Sequence, residues 1–294
     1  MAVRPFRPGD APSLAALTAA CARSEVDFVL NPMWETEEEV LGDFSRQGID
    51  PEDHLLVADE NGGGLRGTAG FLRPPASDMA GLVCPVVERR ERGRGLGGEL
   101  LRAALALAGD SGVKLLTAGI GARNHAGYAL LASAGFRPVR QHVLMRCEER
   151  PKAAPAPVEG LVFEAARPED FAAIHDIYES CGFASRDLQT MQGFLAGERH
   201  SHAVARQDGR VVGFAELEVH WPHRPWVAYV GVVRGLRDRG VGSGLVGFAL
   251  AREFDAGATS ALLLLSPANR TAFRAYEKVG FRRHRVVDVL ELRL

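Results

Sequence analysis

Two short segments rich in arginine and glycine are the residues of this chain best suited to binding an anion. They occupy positions 90–95 and 237–242, and each one follows a strand-like apolar run and precedes a helical pattern. Glycine allows a phosphate to approach the backbone, and the unpaired N–H groups and dipole of a helix N-terminus attract negative charge. The arginines add positive charge. The sequence therefore predicts that a phosphorylated cofactor binds at these turns.

Each segment belongs to a longer pattern that occurs twice in the same order. Asn124 and a Gly-Phe pair at 135–136 follow the first segment, and Asn269 and a Gly-Phe pair at 280–281 follow the second. The spacing from the asparagine to the phenylalanine is identical in the two copies. An ordered pattern that recurs across half of the chain is hard to obtain by chance, so it indicates two related domains.

A dinucleotide-binding turn is the main alternative for the first copy, because residues 93–98 satisfy Gly-x-Gly-x-x-Gly. That fingerprint needs an acidic residue about 20 residues later, at the end of the next strand. The next strand ends at 117–120 without a carboxylate, and the second copy has Leu245 at the third glycine position. Both facts disfavour a dinucleotide. The repeat disfavours a plain glycine turn with solvated arginines.

Length and composition are typical of a two-domain globular protein. The 294 residues exceed one average domain, and 46% hydrophobic with 24% charged residues is ordinary for a protein in water. No apolar run is long enough to cross a membrane and no secretion signal is evident, so we expect a cytoplasmic protein without a membrane partner. A net charge of −2 argues against a nucleic-acid partner. The four cysteines lie far apart, so no metal site or disulfide framework is expected.

The repeat divides the chain into two halves of α/β type. Prolines with small or charged residues predict a linker at 148–159, so the expected domains span 1–147 and 160–294. Each half shows the patterns of a strand, a helix, a hairpin and an apolar strand that runs into the Arg/Gly turn. A helix, a strand, a second helix and a terminal strand follow the turn. The fold class is therefore α/β with a mixed sheet flanked by helices in each half.

The combined pattern resembles the GNAT superfamily of acyl-CoA-dependent N-acyltransferases. The resemblance rests on Arg-x-x-Gly-x-Gly after a strand and on Asn-x-x-Ala-x-x-x-Tyr-x-x-x-Gly-Phe, which the second copy matches at 269–281. It covers nearly the whole chain and implies two tandem domains with mixed, mostly antiparallel sheets. It also implies acetyl-CoA as cofactor and a small-molecule or peptide amine as acceptor. The oligomeric state stays open between a monomer and a homodimer.

The resemblance implies cofactor-binding residues in both halves. In the second half, the backbone amides of the turn would hold the pyrophosphate. The end of the preceding strand would pair with the pantetheine arm. The asparagine and a phenylalanine would contact the other side of that arm. These residues are Val232, Val233, Arg237, Asp238, Arg239, Gly240, Val241, Gly242, Ser243, Asn269 and Phe273. The residues implied in the first half are Val87, Arg92, Gly93, Arg94, Gly95, Leu96, Gly97, Asn124 and Tyr128.

The implied chemistry is direct attack of a neutral amine on the thioester carbonyl. A backbone N–H near Val232 stabilises the developing oxyanion, and Tyr276 donates a proton to the departing thiolate. Packing in a core is the alternative for Tyr276. The attacking amine must lose a proton, and Glu216 and Glu218 share one face of a predicted strand, so either is a candidate base. A solvated strand face is the alternative for that pair.

The two halves are predicted to be unequal. Alignment on the Asn and Gly-Phe positions places Leu131 opposite Tyr276, and leucine has no proton to donate. Counting back from the first motif glycine places Pro85, which lacks an N–H, opposite Val232, unless the register slips by two at the extra arginines. We therefore predict that the C-terminal half catalyses, while the N-terminal half binds CoA without turnover or is purely structural. A non-catalytic CoA-binding protein is the alternative for the whole chain.

Overall fold

The computed structural model describes residues 2–59, 64–74, 77–152, 158–183, 189, 192–193 and 199–294. They form two compact units. Unit 1 consists of Met1–His142 with Arg285–Leu294, and unit 2 consists of Val143–His284. Of the predicted linker at 148–159, residues 153–157 lie outside the described residues.

Helices and strands alternate along the chain as predicted for an α/β protein. The strands are β1 (Ala2–Pro5), β2 (Leu55–Asp59), β3 (Leu65–Leu72), β4 (Met79–Val87), β5 (Leu115–Gly121), β6 (Arg137–Cys147), β7 (Leu161–Ala165), β8 (His200–Gln207), β9 (Arg210–Glu218), β10 (Trp226–Val232), β11 (Ala261–Leu265) and β12 (Arg282–Arg293). The helices are α1 (Ala11–Arg23), α2 (Glu37–Gln47), α3 (Leu96–Asp110), α4 (His125–Ser133), α5 (Phe171–Ser180), α6 (Val241–Asp255) and α7 (Arg270–Val279).

Each unit contains a mixed, mostly antiparallel sheet. In unit 1 the strand order is β1-β2-β3-β4-β5-β12, and in unit 2 it is β6-β11-β10-β9-β8-β7. The β4–β5 and β10–β11 pairs are parallel, and the other ladders are antiparallel. The predicted fold class is confirmed.

The compact units differ from the predicted domains 1–147 and 160–294 in their closing strands. Residues 287–293 of β12 pair with β5 in unit 1, and residues 143–147 of β6 pair with β11 in unit 2. The strand expected to close each half thus completes the sheet of the other unit. An alternating apolar pattern specifies which face of a strand is buried but not which of two similar sheet edges it joins.

Apolar residues at helical spacing hold α6 against its sheet. Val241, Leu245, Ala249 and Leu250 belong to the core of unit 2 together with residues of β8, β9 and β11. Unit 1 repeats the arrangement with α3 against β2 and β3. The glycine turn before each of these helices is therefore anchored on both sides, by a sheet strand that precedes it and by a packed helix that follows it.

Gly244 brings α6 close to the edge strand β7. A methyl group added there would overlap the Phe163 ring, whereas one added at Gly247 would contact nothing within 4 Å. Overpacking of this kind costs about 1–3 kcal/mol, and alanine in place of a partly exposed helical glycine such as Gly247 stabilises by up to about 1 kcal/mol. We expect Gly244→Ala to lower the free energy of unfolding in urea and Gly247→Ala to raise it. Equal effects of the two substitutions would contradict this packing.

No helix in the described part of the chain is long and apolar enough to cross a membrane. Among the same residues, no group of three or more His, Cys, Asp or Glu side chains is placed to hold a metal ion.

Candidate active site

A cleft of about 810 Å³ opens in unit 2 between the end of β10, the glycine turn and α7. β10 pairs with β11 at Trp226 and Leu262 only, so the rest of this edge of β10 carries no strand partner from β11. The cleft is lined by Cys181, Val230, Val232, Leu236, Arg237, Asp238, Gly240, Gly242, Ser243, Asn269, Thr271, Ala272, Arg274, Ala275, Tyr276 and Lys278.

The strand end of β10 presents backbone donors to this cleft. The Val233 N–H donates to the Val212 carbonyl oxygen at 2.9 Å, and Val232 lies opposite Gly213 in the same ladder. Because hydrogen-bonded and non-hydrogen-bonded pairs alternate in an antiparallel ladder, the N–H groups of Val232 and Val230 point away from β9. They point toward the edge of β10 that β11 leaves unpaired, where a carbonyl oxygen of a ligand can accept a hydrogen bond from them.

The turn before α6 is built to bind an anion. Asp238 and Gly240 have positive φ angles of 60° and 85°, and the first turn of the helix closes with a 2.9 Å bond from the Gly244 N–H to the Gly240 oxygen. Gly244 donates the first hydrogen bond within the helix, so the N–H groups of residues 241–243 have no acceptor in the helix itself. Together with the helix dipole, these donors are suited to hold an anion.

Arg237 joins the strand end to the turn. Its Nε donates to the Val232 carbonyl oxygen at 2.9 Å, and its Nη2 lies 3.4 Å from the Cys181 Sγ. The guanidinium therefore satisfies the carbonyl at the end of β10 and holds a positive charge beside the turn. The sequence pattern did not indicate Cys181, which follows α5 and reaches the cleft through the fold.

Tyr276 and Asn269 line the α7 side of the cleft. Asn269 begins the helix, because its Oδ1 accepts from the Ala272 N–H at 3.1 Å. Burial raises the pKa of the Tyr276 phenol to about 12, and its ring packs edge-on against Phe281 at 5.7 Å between centroids. A phenol with a raised pKa is protonated at neutral pH, as a proton donor must be.

Four of the implied cofactor residues of unit 2 do not line the cleft: Val233, Arg239, Val241 and Phe273. Phe273 belongs to the core, with 4% of its surface exposed and the Arg283 guanidinium 4.5 Å above its ring. The two residues that precede Phe273 in α7, Thr271 and Ala272, line the cleft instead. Val230, Arg274 and Lys278 also line the cleft and were missed, although their spacing from Val232 and Asn269 carried the signal.

The two candidate bases lie outside the cleft lining and differ in burial. Glu216 is 0% exposed, with its Oε1 3.2 Å from the His200 Nδ1 and its Oε2 3.7 Å from the His202 Nε2. Glu218 is partly exposed and lies 3.9 Å from the His220 Nδ1. Glu216 pairs across the ladder with Tyr229, the neighbour of Val230 in the cleft. Both carboxylates thus have an imidazole nearby that can exchange a proton.

The turn of unit 1 aligns with that of unit 2 in a register two residues away from the one expected from the sequence. The Arg92 Nε donates to the Val87 carbonyl oxygen at 2.9 Å, as Arg237 does to Val232, and Gly95 begins α3 as Gly240 begins α6. Val87, and not Pro85, is therefore the counterpart of Val232. The structure thus has the slip of two residues that the sequence left open, because alternating glycines at 93, 95 and 97 fit the pattern in two registers. Pro85 corresponds instead to Val230.

Unit 1 has a smaller cleft of about 280 Å³ beside this turn. Of the implied residues, it is lined by Val87, Arg92, Gly93, Gly95, Gly97 and Asn124, whereas Arg94, Leu96 and Tyr128 lie outside the lining. The lining that the sequence pattern did not indicate consists of Cys21, Asp27, Pro85, Val86, Gly98, Ala126, Gly127 and Leu130. Leu131, at the position of Tyr276, is buried in the core with 1% of its surface exposed.

Carboxylates of unit 1 neutralise the arginines of its turn. Arg92 pairs with Asp27 at 2.6 Å, Arg94 with Glu91 at 3.2 Å and Arg90 with Glu88 at 2.9 Å, and Asp27 itself lines the cleft. The arginine side chains of these pairs are exposed, so each pair adds little stability. Their effect on a ligand is larger, since a carboxylate already stands where an anion would bind.

The amide of Asn124 is also occupied in unit 1. Its Oδ1 accepts from the Gly127 N–H at 2.9 Å and its Nδ2 donates to the Phe28 carbonyl oxygen at 3.3 Å. Asn269 forms the equivalent helix cap in unit 2, but its Nδ2 has no hydrogen-bond partner among the residues that the structure describes. Both hydrogens of the Asn269 Nδ2 are therefore available to a ligand, whereas one of the two hydrogens of the Asn124 Nδ2 is already used within unit 1.

Known proteins share this arrangement. The acetyltransferase (GNAT) family model matches residues 19–136 and 169–281. The mycothiol acetyltransferase of Thermobispora bispora is 31% identical over 302 aligned residues, which cover 96% of each chain, and that of Streptomyces coelicolor is 26% identical with 96% and 95% covered. These matches confirm the predicted tandem GNAT resemblance.

Solved structures agree at the level of the fold. A GCN5-related N-acetyltransferase from Sphaerobacter thermophilus superposes with a TM-score of 0.78 and 23% identity, covering 99% of this chain and 95% of that one. A tandem GNAT protein from the clavulanic acid biosynthesis pathway gives 0.74 and 15%, with 99% and 98% covered. The family matches confirm the predicted enzyme class. The chain belongs to the GNAT acetyltransferase family and is an N-acetyltransferase built from two GNAT domains.

Proposed function

We propose that unit 2 carries out the transfer, with acetyl-CoA bound in its cleft and a small-molecule amine as acceptor. The observation that carries the proposal is the placement of Tyr276 in the same cleft as the free strand-end N–H groups and the helix-start turn. Among the described residues that line the cleft, Tyr276 is the only phenol and Asp238 is the only carboxylic acid. Unit 1 has leucine at this position, and the arginine of its turn, Arg92, is paired with Asp27.

The residues of unit 2 fit the donor. Members of the GNAT family use acetyl-CoA, which supplies an acetyl group on a thioester. The N–H groups at the start of α6 would hold its pyrophosphate, and the Nδ2 of Asn269 faces the same space. The Val232 and Val230 N–H groups would hold the pantetheine arm and the carbonyl oxygen that becomes negative during attack.

Proton movements complete the step. Tyr276 gives its phenolic proton to the departing sulfur, which would otherwise leave as an unstabilised thiolate. The attacking amine loses a proton to a base, for which the carboxylates Glu216 and Glu218 on β9 are the candidates, directly or through a water. The His200 and His202 imidazoles hold the buried Glu216 in place and can pass its proton onward.

A pH profile distinguishes the two carboxylates. A base must be deprotonated to act, so kcat/KM falls as the pH drops through its pKa. We expect that fall to disappear in either Glu216→Gln or Glu218→Gln, together with a loss in kcat/KM of about 100-fold at neutral pH. The other variant serves as the matched control on the same strand. Retention of the full profile in both variants would remove β9 from the mechanism.

The acceptor is proposed from the relatives. They are named mycothiol acetyltransferases, so the first compound to test is mycothiol from which the acetyl group has been removed. The purified chain, acetyl-CoA and this amine would be incubated, and the acetylated product followed by mass spectrometry. A panel of other primary amines of similar size tests the wider class. Absence of product with every amine, despite acetyl-CoA binding, would favour the non-catalytic alternative.

A further inference from the structure

A pair of cations lies on the wall of the unit 2 cleft and has no role in the transfer step proposed above. Arg274 and Lys278 are four residues apart on α7, so they occupy one face of that helix in successive turns. Both side chains are exposed and both line the cleft. Neither has an ion-pair or hydrogen-bond partner among the residues that the structure describes. Two unpaired cations on a cleft wall are suited to an anion.

Arg274 and Lys278 lie on a different face of α7 from Tyr276. Successive residues of an α-helix are about 100° apart, so Tyr276 points about 160° away from both Arg274 and Lys278. Tyr276 is partly buried and packs against Phe281, whereas the two cations are exposed. The same helix therefore offers a proton donor on its inner side and positive charge on its outer side.

The pair belongs to unit 2 alone. Helices α4 and α7 both begin after a capping asparagine, so Arg274 and Lys278 correspond to Ala129 and Ser133. Neither of those side chains carries a charge. A cation pair that serves only the packing of the fold would be expected in both units, whereas a pair that serves the ligand is needed only where the ligand binds.

The charge of the cofactor identifies what the pair can bind. The pyrophosphate is matched by the N–H groups at the start of α6, while the Arg237 guanidinium is engaged by Val232 and Cys181. Coenzyme A carries one further phosphate, a monoester on the 3′-oxygen of its ribose. A phosphate monoester has about −1.5 to −2 charge at neutral pH and three acceptor oxygens, so two adjacent cations complement it.

We propose that Arg274 and Lys278 bind the 3′-phosphate of coenzyme A, and that unit 2 thereby selects coenzyme A over 3′-dephospho-coenzyme A. The proposal rests on the proposed function, because it requires the cofactor to lie in the unit 2 cleft. It makes the two residues determinants of cofactor specificity with no role in the chemical step. A donor that lacks the 3′-phosphate would react at the same maximal rate but with a higher KM.

Calorimetry on the full chain tests the proposal with coenzyme A and 3′-dephospho-coenzyme A as probes. We expect wild type to bind coenzyme A about tenfold or more tightly than the dephospho form. In the R274A/K278A double variant, the affinity for coenzyme A should fall by the same factor while that for the dephospho form stays unchanged. Arg210→Ala, which removes an exposed cation on β9, is the charge-matched control and should leave both affinities as they are.

The outcomes separate this proposal from the assignment of the cleft. Equal affinity of wild type for the two probes would overturn it, and so would a double variant that weakens both probes equally. Failure of wild type to bind either probe would instead overturn the proposed function. The melting temperature of the double variant checks its folding, and the comparison of the two probes on wild type tests the proposal without any substitution.

Discussion

Replacing Tyr276 by phenylalanine should lower kcat by about 100-fold while leaving the KM for acetyl-CoA nearly unchanged. General acid catalysis contributes about 10² to 10⁴ to a rate, and the substitution removes only the phenolic proton. The ring keeps its edge-on contact with Phe281 and its place in the cleft wall, so the cofactor should still bind. Burial raises the pKa of Tyr276 to about 12, so the phenol is protonated throughout the neutral range.

The raised pKa also has a consequence for the pH dependence. A proton donor is lost only as the pH rises through its pKa, so Tyr276 should cause no fall in kcat below about pH 11. Tyr128→Phe is the matched control, since it removes a hydroxyl from α4 at a position outside the cleft lining of unit 1. An unchanged kcat in the Tyr276 variant would return Tyr276 to the role of a packing residue.

Introducing a carboxylate at Gly242 should weaken acetyl-CoA binding by at least about 100-fold. A methyl group added there would lie 3.7 Å from Val230 and 3.8 Å from Val232, on the wall where the cofactor is proposed to bind. Two like charges 4 Å apart repel by about 4 kcal/mol at an effective dielectric constant of about 20, and salt reduces this. Aspartate in the first turn of a helix is itself favourable, so α6 should remain folded.

Gly97 provides the matched control for this substitution. It occupies the same place in the first turn of α3, with Val87 3.7 Å from an added methyl group. Because Asp27 already pairs with Arg92 in that cleft, we expect one molecule of acetyl-CoA per chain in calorimetry, unaffected by Gly97→Asp. A stoichiometry of two, reduced to one by Gly97→Asp, would show that unit 1 also binds the cofactor and would contradict the neutralisation argument.

Recognition of the family depends on residues whose roles are local. The Arg-x-x-Gly-x-Gly turn needs glycine at its positive φ angle and free N–H groups at a helix start, and these requirements are visible in a short window of sequence. Gly240 and Asn269 accordingly lie where the pattern implied, as the N-caps of α6 and α7. Two such windows in order were enough to predict both the α/β class and the doubled architecture.

Which residues of α7 line the cleft could be identified only from the way the helix packs on its sheet. Phe273 and Tyr276 stand three residues apart in the same motif, yet the first lies in the core and the second in the cleft. A sequence motif records which residue types recur but not the angle at which the helix rests on its sheet. Thr271, Arg274 and Lys278 reach the cleft for the same reason, because the helix turns about 100° per residue.

Taken by itself, the sequence determined the family, the two copies and the inequality of Leu131 and Tyr276, since each depends on residue type and near spacing. Only the tertiary structure decided that Val87 is the counterpart of Val232, that β12 completes the sheet of unit 1 and that Asp27 pairs with Arg92. Strand register, strand partners and ion pairs between distant residues depend on contacts across the fold, and a linear pattern of residues does not contain those distances.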